Sequence, residues 1–258
     1  MRVDLNCDMG ESFGAWSIGN DADVLPFVTS VNVACGFHAG DPSVMRQTVI
    51  RAAMHGVAVG AHPGLPDLIG FGRREMVVTA QEVYDMVTYQ LGALRGIATA
   101  AAGIRVQHVK PHGALYNMAA AQPDLADAIA RAVHDVDPTL LLVGLSGSAL
   151  ITAGAAKGLT TVSEVFADRH YLANGALAPR SRPDALVTNV ADAVARAIRM
   201  VTQDAVTALD GTDVPLIADT ICIHGDAPHA ALYAQHIRTG LDDAGVAVLA
   251  IGARLPTH

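Results

Sequence analysis

A repeated pattern of short apolar segments that end in polar clusters constrains this chain more than any other feature. Most of these segments are separated by a stretch with helical periodicity. The seven segments with their polar ends are DLNCDMGE (4–11), NVACGFHAGD (32–41), VGAHPG (59–64), VKPHGALYN (109–117), LLVGLSGS (141–148), SEVFADR (163–169) and ICIHGD (221–226). Parallel strands that alternate with helices bring their carboxyl ends to one rim, where α/β folds carry their functional residues. The pattern therefore predicts a parallel α/β fold and the rim that holds its site.

Helix and strand signals along the chain agree with this prediction. Strands are predicted at about 2–7, 30–35, 57–61, 105–109, 139–144, 160–166, 215–223 and 246–251. Helices are predicted to begin near Pro42, Thr79, Asp124, Asp184 and Pro228. Asp41 is the expected N-cap of the first, and Thr79 has capping-box spacing with Glu82. Apolar strands flanked by helices indicate a parallel sheet covered on both faces. Because the eighth strand ends without a polar cluster, we predict a distorted seven-stranded (β/α) barrel, with residues 1–258 as a single domain.

Composition excludes several classes of function. The 258 residues are 51% hydrophobic with a net charge of −8 and no Lys/Arg cluster, which argues against nucleic acid or an anionic membrane as partner. Residues 138–156 are uncharged, but Pro138 and three glycines divide them into a strand, a turn and a helix start rather than a membrane span. With no signal-peptide pattern at the start, we expect a cytoplasmic protein. Cys7, Cys35 and Cys222 lack disulfide or zinc spacing, and buried structural roles are favoured over a catalytic thiol.

Lys110 is the most informative cation because the chain has only two lysines and this one directly follows an apolar strand. A lysine there is costly unless it meets an anion, which could be a substrate carboxylate or phosphate, a developing oxyanion, or a partner in a structural ion pair. His38, His62, His112 and His224 also follow strands. Imidazoles in such positions offer acid–base chemistry or metal ligation.

Carboxylates complete the set of candidate residues. Those near strand ends are Asp8, Glu11, Asp41, Glu164, Asp168 and Asp226. Asp8 stands beside Asn6 with no capping role and is the preferred functional carboxylate. For Asp226 the alternative to a functional role is that it serves solely as the cap of the helix predicted from Pro228. Asp8, His38 and His62 could together hold a divalent metal, although their spacing matches no local metal motif. Acid–base chemistry without a metal is the favoured interpretation.

Two connections are too long for simple turns and are predicted to close over a ligand. They are residues 62–78, which contain Arg73, and residues 168–183, which begin with Asp168 and Arg169. We expect these three charged residues, with Asn6, His224 and Asp226, to contact substrate. The alternative is that both segments are surface excursions with solvated arginines.

Several longer motifs together resemble the LamB/YcsF family over nearly the whole chain. They are VDLNCDMGESFG (3–14), SVNVACGFHAGDP (30–42), GAHPGLPDLIGFGRR (60–74), VKPHGALYN (109–117), EVFADRHY (164–171) and IHGDAP (223–228). The resemblance implies a barrel of the glycoside hydrolase/deacetylase superfamily type. It also implies ATP-dependent opening of 5-oxo-L-proline to L-glutamate, with ADP and phosphate as products and the 5-oxoprolinase B and C subunits as partners.

The residues leave the division of labour in such a reaction open. The chain has no GxxxxGK[ST] or GxGxxG motif, so ATP would bind unconventionally or through a partner subunit. Our hypothesis is that Lys110 and a loop arginine neutralise an anion, while Asp8 with His38, His62 or His112 activates water. Two alternatives remain: a metal-dependent deacetylase or carbohydrate hydrolase, and a non-catalytic subunit that binds the lactam and passes it to its partners.

Overall fold

The computed structural model describes residues 1–223 and 230–253 and contains a closed parallel barrel. Its strands are β1 (Arg2–Met9), β2 (Ser30–Ala34), β3 (Ala58–His62), β4 (His108–Val109), β5 (Leu141–Leu145), β6 (Thr160–Phe166) and β9 (Thr220–Ile223). Each strand pairs with the next in that order, and β9 closes the ring by pairing with β1. A short strand, β10 (Ala247–Val248), pairs with β1 outside the ring. The predicted seven-stranded parallel barrel is therefore confirmed.

Helices cover the outside of the barrel. They are α1 (Asp21–Val24), α2 (Pro42–Met54), α3 (Ala80–Ala102), α4 (Gly113–Ala121), α5 (Pro123–Val136), α6 (Ala149–Ala156), α7 (Val190–Gln203) and α8 (Ala230–Asp243), with a 3-10 turn at Leu25–Phe27. The Asp41 carboxylate accepts from the backbone at the start of α2, which explains this residue as an N-cap. Thr79 and Glu82 form the expected capping box of α3.

The structure corrects two predicted elements. The helix expected from Asp184 begins only at Val190, because the Asp184 carboxylate is engaged by the Arg182 guanidinium and Asn189 caps the helix instead. The strand expected over 215–223 is divided: β8 (Asp213–Pro215) pairs antiparallel with β7 (Ala205–Thr207), and only β9 joins the barrel. Helix α4 was not predicted.

The uncharged stretch 138–156 folds as predicted into a strand, a turn and a helix. It forms β5 and α6, joined by a turn. Among the helices in the described part of the chain, none has the length and apolar character that crossing a membrane requires.

The barrel interior is polar and hydrogen-bonded across strands. Along β1, Asn6 Nδ2 donates to Glu164 Oε1 on β6 (3.0 Å) and to Thr220 Oγ1 on β9 (2.7 Å). On β2, Asn32 Nδ2 donates to Asn6 Oδ1 at 2.8 Å, and Asn32 Oδ1 accepts from His108 Nε2 at 2.8 Å. Buried polar groups are costly unless paired, so this network holds the strands in register. It also supports the side chains at the rim above it.

We expect Gly60→Ala to lower the free energy of unfolding by about 1–3 kcal/mol, because overpacking a tight core is costly. A Cβ on Gly60 would overlap the His108 imidazole, which fills the space that this glycine leaves inside the barrel. Gly96→Ala is the matched control, since Gly96 lies in α3 and a Cβ added there would meet nothing within 4 Å. That change should raise the free energy of unfolding by roughly 0.5–1 kcal/mol. Urea denaturation measures both, and equal effects of the two changes would contradict the prediction.

Candidate active site

Lys110 is the centre of a buried charge cluster at the carboxyl ends of the strands. Its Nζ lies 2.8 Å from Glu164 Oε1, 2.9 Å from Asp8 Oδ1 and 3.0 Å from Cys222 Sγ. Burial alone would lower the pKa of Lys110, but the Asp8 and Glu164 carboxylates outweigh it and raise that pKa well above its usual range. The lysine therefore meets the anion that its position requires, in the form of two carboxylates of the protein.

The three cysteines are buried free thiols. Burial raises the pKa of the Cys222 thiol well above its usual range and that of Cys35 to about 12. Nucleophilic cysteines need a lowered pKa, so the structure favours the buried structural role over a catalytic thiol.

Asp8 links the lysine to a group of histidines. Its Oδ1 accepts from Lys110 Nζ and from Asn32 Nδ2, the latter at 2.8 Å. Its Oδ2 lies 3.2 Å from His62 Nε2. A carboxylate fixed from both sides in this way is placed to exchange a proton with a group in the space above it.

Three imidazoles gather beside Asp8. The His38 and His112 rings stack with centroids 3.7 Å apart, and His62 approaches both rings edge-on. Burial lowers the pKa of His38 and of His112 well below the usual range, and neighbouring imidazoles add to the shift. With Glu11, each of the three histidines offers a ligand atom, and these four atoms lie within 4.8 Å of one another. This cluster contains His38 and His62 of the predicted metal trio, together with Glu11 and His112.

A cavity of about 620 Å³ opens above these groups. Asp8, Lys110 and His112 lie at its floor, and both long connections contribute to its wall through Arg73 and residues 174–180. A cavity of this size accommodates a small metabolite.

Three arginines supply positive charge on the wall of the cavity: Arg73, Arg169 and Arg180. Burial, and then the neighbouring Arg180 guanidinium, lowers the pKa of Arg169 to about 10. The Arg169 guanidinium also donates to the Ala178 carbonyl at 2.6 Å, which ties the loop to the cavity wall. Converging guanidinium groups of this kind suit a carboxylate or a phosphate.

The structure gathers most of the candidate residues but gives them different positions. Asp8, His62, Lys110, His112, Arg73 and Arg169 line the cavity, and His38 packs behind His112. Asn6 is buried inside the barrel beneath the cavity, and Asp168 does not line it. His224 and Asp226 lie outside the described residues.

Sequence reasoning missed two important carboxylates, Glu11 and Glu164. Both were noted near strand ends without being chosen. The available signal for Glu164 was that it is the single charged residue of its strand, where a buried charge must have a partner. Glu11 follows β1 after Gly10, whose positive φ of 69° turns the chain there, and no local pattern marks this turn as leading to the histidines.

The fold and the cluster define the class of this protein: a closed (β/α) barrel with a cluster of carboxylate, ammonium and imidazole groups at the carboxyl ends of its strands. A sequence model of the LamB/YcsF family matches residues 3–255. The chain belongs to the LamB/YcsF family, as its motifs suggested.

Known relatives match the chain over almost its full length. It is 58% identical over 256 residues to the A subunit of 5-oxoprolinase from Bacillus subtilis (strain 168), covering 99% of both chains. It is 60% identical over 250 residues to the corresponding A subunit from Tolumonas auensis, covering 97% of this chain and 99% of the relative. The crystal structure of the lactam utilization protein from Thermus thermophilus superposes with a TM-score of 0.91 at 49% identity, covering 97% and 100% of the two chains.

Proposed function

We propose that this chain is a 5-oxoprolinase A subunit that opens the lactam of 5-oxo-L-proline to L-glutamate, coupled to hydrolysis of ATP to ADP and phosphate. The observation that carries the proposal is the Asp8 carboxylate, held between Lys110 and His62 at the floor of a cavity with an arginine-rich wall. It is supported by full-length relatives that bear the name of the 5-oxoprolinase A subunit.

The chemistry explains why ATP is required. A five-membered lactam is an unstrained, resonance-stabilised amide, so water opens it only when its carbonyl carbon is activated. Transfer of the terminal phosphoryl group of ATP to the amide oxygen, with release of ADP, supplies that activation. We assign Asp8 as the base that takes a proton from the attacking water. The ring C–N bond then breaks, and the nitrogen takes up a proton to become the amine, which leaves the new carboxyl group as an acyl phosphate. A second water hydrolyses the acyl phosphate to the glutamate carboxylate and phosphate. Lys110 is assigned to hold Asp8 ionised and in place.

Recognition of the substrate carboxylate falls to the arginines rather than to Lys110. The Lys110 ammonium is buried between two carboxylates of the protein. Arg73, Arg169 and Arg180 lie together on the wall of the cavity, where a substrate carboxylate would meet them. This division modifies the hypothesis that Lys110 binds the substrate anion. Because the sequence has no nucleotide-binding motif, we assign most contacts with ATP to the B and C subunits.

The decisive experiment measures glutamate release from 5-oxo-L-proline by this chain, with and without ATP and the B and C subunits. We expect release only when all components are present. Release by this chain alone would overturn the assignment of ATP contacts to the partners. Absence of glutamate from the complete mixture would overturn the proposed function.

We expect Arg73→Met to erase much of the preference for 5-oxo-L-proline over 2-pyrrolidinone, the same lactam without a carboxylate. A charged hydrogen bond is worth about 1.5–3 kcal/mol, so kcat/KM for 5-oxo-L-proline should fall roughly 10- to 100-fold. The value for 2-pyrrolidinone should change little. Arg105→Met is the control, because Arg105 is exposed and precedes β4 at the amino ends of the strands. An equal loss for both lactams in the Arg73 variant would contradict this role.

A further inference from the structure

In the histidine cluster, His62 Nε2 and His112 Nδ1 face one another, and neither carries a hydrogen that it could donate to the other. His62 Nδ1 lies 2.7 Å from the Lys110 carbonyl oxygen, and His112 Nε2 lies 2.8 Å from the Phe71 carbonyl oxygen. A carbonyl only accepts, so each of these nitrogens carries the hydrogen of its neutral ring. The opposite nitrogens, His62 Nε2 and His112 Nδ1, then present lone pairs to each other at 2.9 Å. This arrangement is repulsive unless a cation lies beside both.

One carboxylate oxygen lies close to the same group of imidazole nitrogens. Glu11 Oε1 lies 3.6 Å from His112 Nδ1 and 3.8 Å from His38 Nε2. Four ligands of a tetrahedral ion with bonds near 2.1 Å stand about 3.4 Å from one another. The observed separations of 2.9, 3.6 and 3.8 Å fall on both sides of that value. The donor atoms therefore enclose a space that suits one small ion.

His38 supplies an independent indication of a missing ligand. Its side chain is fully buried, yet neither ring nitrogen has a hydrogen-bond partner among the residues that the structure describes. Its ring is parallel to that of His112, with 1° between the planes, so one ion cannot lie in both ring planes as they stand. His38 must turn to reach an ion held by the other residues.

We propose that His62, His112 and Glu11 bind one divalent transition-metal ion, with His38 turning onto it as a fourth ligand. Imidazole and carboxylate donors suit Zn²⁺, Co²⁺ and related ions. The carbonyl groups of Lys110 and Phe71 fix the ring orientations, as hydrogen-bond partners of metal-bound histidines do. This site goes beyond the proposed lactam reaction, since binding of the ion requires neither substrate nor partner subunit.

The test is a Co²⁺ titration of the full-length chain after treatment with a chelator, followed by visible absorption and by metal analysis after dialysis. We expect one Co²⁺ per chain with ligand-field bands that Zn²⁺ removes. Glu11→Gln, which keeps the side-chain size, and His112→Ala should both lose this binding. His38→Ala should weaken Co²⁺ binding by about 10- to 100-fold, because the other three ligands remain in place.

His55→Ala is the matched control, because His55 is an exposed histidine at the end of α2 and should bind Co²⁺ as the wild type does. Thermal unfolding without metal identifies any variant that fails to fold. If His112→Ala fails to fold, the loss of Co²⁺ binding is judged from Glu11→Gln alone. Wild-type chain that retains no Co²⁺ or Zn²⁺ would overturn the proposal and indicate a proton on His62 as the cation. Because the titration contains no lactam or ATP, its failure would leave the proposed function standing, and the reverse also holds.

Discussion

Replacing Lys110 by Met is expected to lower the free energy of unfolding by about 3–5 kcal/mol, the cost of breaking a buried ion pair from one side. The change leaves Asp8 and Glu164 buried with no ammonium between them. Lactam opening should be lost in the complete 5-oxoprolinase mixture, because Asp8 is then neither held in place nor kept ionised. Chemical denaturation and glutamate release measure the two effects separately.

The chain provides a matched control in Lys157, its other lysine. Lys157 pairs with Asp127 at a partly exposed position, so Lys157→Met should change stability by less than about 1 kcal/mol and leave glutamate release unchanged. Adding Glu164→Gln to the Lys110 variant removes one of the unpaired charges and should restore part of the lost stability. An unaltered stability in Lys110→Met would show that the ion-pair cluster does not hold the site together.

Asp8→Asn should reduce the rate of glutamate release by about 10²- to 10⁴-fold, the range for loss of a general base. The amide keeps the shape of the side chain and can still accept from Lys110, while Glu164 retains its ion pair with that lysine. The variant should therefore fold, and binding of 5-oxo-L-proline should change much less than the rate. Steady-state kinetics with the B and C subunits, together with calorimetric binding of the lactam, separates the two.

Asp41→Asn is the control for Asp8, since asparagine caps a helix as well as aspartate does and Asp41 serves as the N-cap of α2. Its rate should match that of the wild type. If Asp8→Asn retained a normal rate but lost binding, the chain would be a subunit that binds the lactam and hands it to its partners for chemistry.

The barrel was predictable because its strands carry two sequence signals: an apolar run and the polar cluster that ends it. The capping pattern at Asp41 and Thr79 placed the starts of two helices correctly. The error at Asp184 has a physical cause, because its carboxylate accepts from the Arg182 guanidinium instead of capping a helix. The sequence alone does not show whether the guanidinium or the backbone N–H groups of a helix will be its partner.

The candidate site was predictable in part. Asp8, His62 and Lys110 share one rim because parallel strands end together, and the structure brings these three into contact. The partnership of Lys110 with Glu164 depends on barrel closure, which places residues far apart in sequence on neighbouring walls. The tautomers of His62 and His112 depend on two backbone carbonyls, whose positions only the folded chain defines.

The hydrogen bonds of Asn6 link closure of the barrel to the geometry of the candidate site. Its amide joins β1 to β6 and β9, the two strands that seal the ring, while Asn32 joins β1 to β2 and also bonds Asp8. Closure of the ring by β6 and β9 therefore also sets the Asp8 carboxylate and the Lys110 ammonium at their separation of 2.9 Å. A chain with an open ring would possess every residue of the site without the distances between them that the proposed chemistry requires.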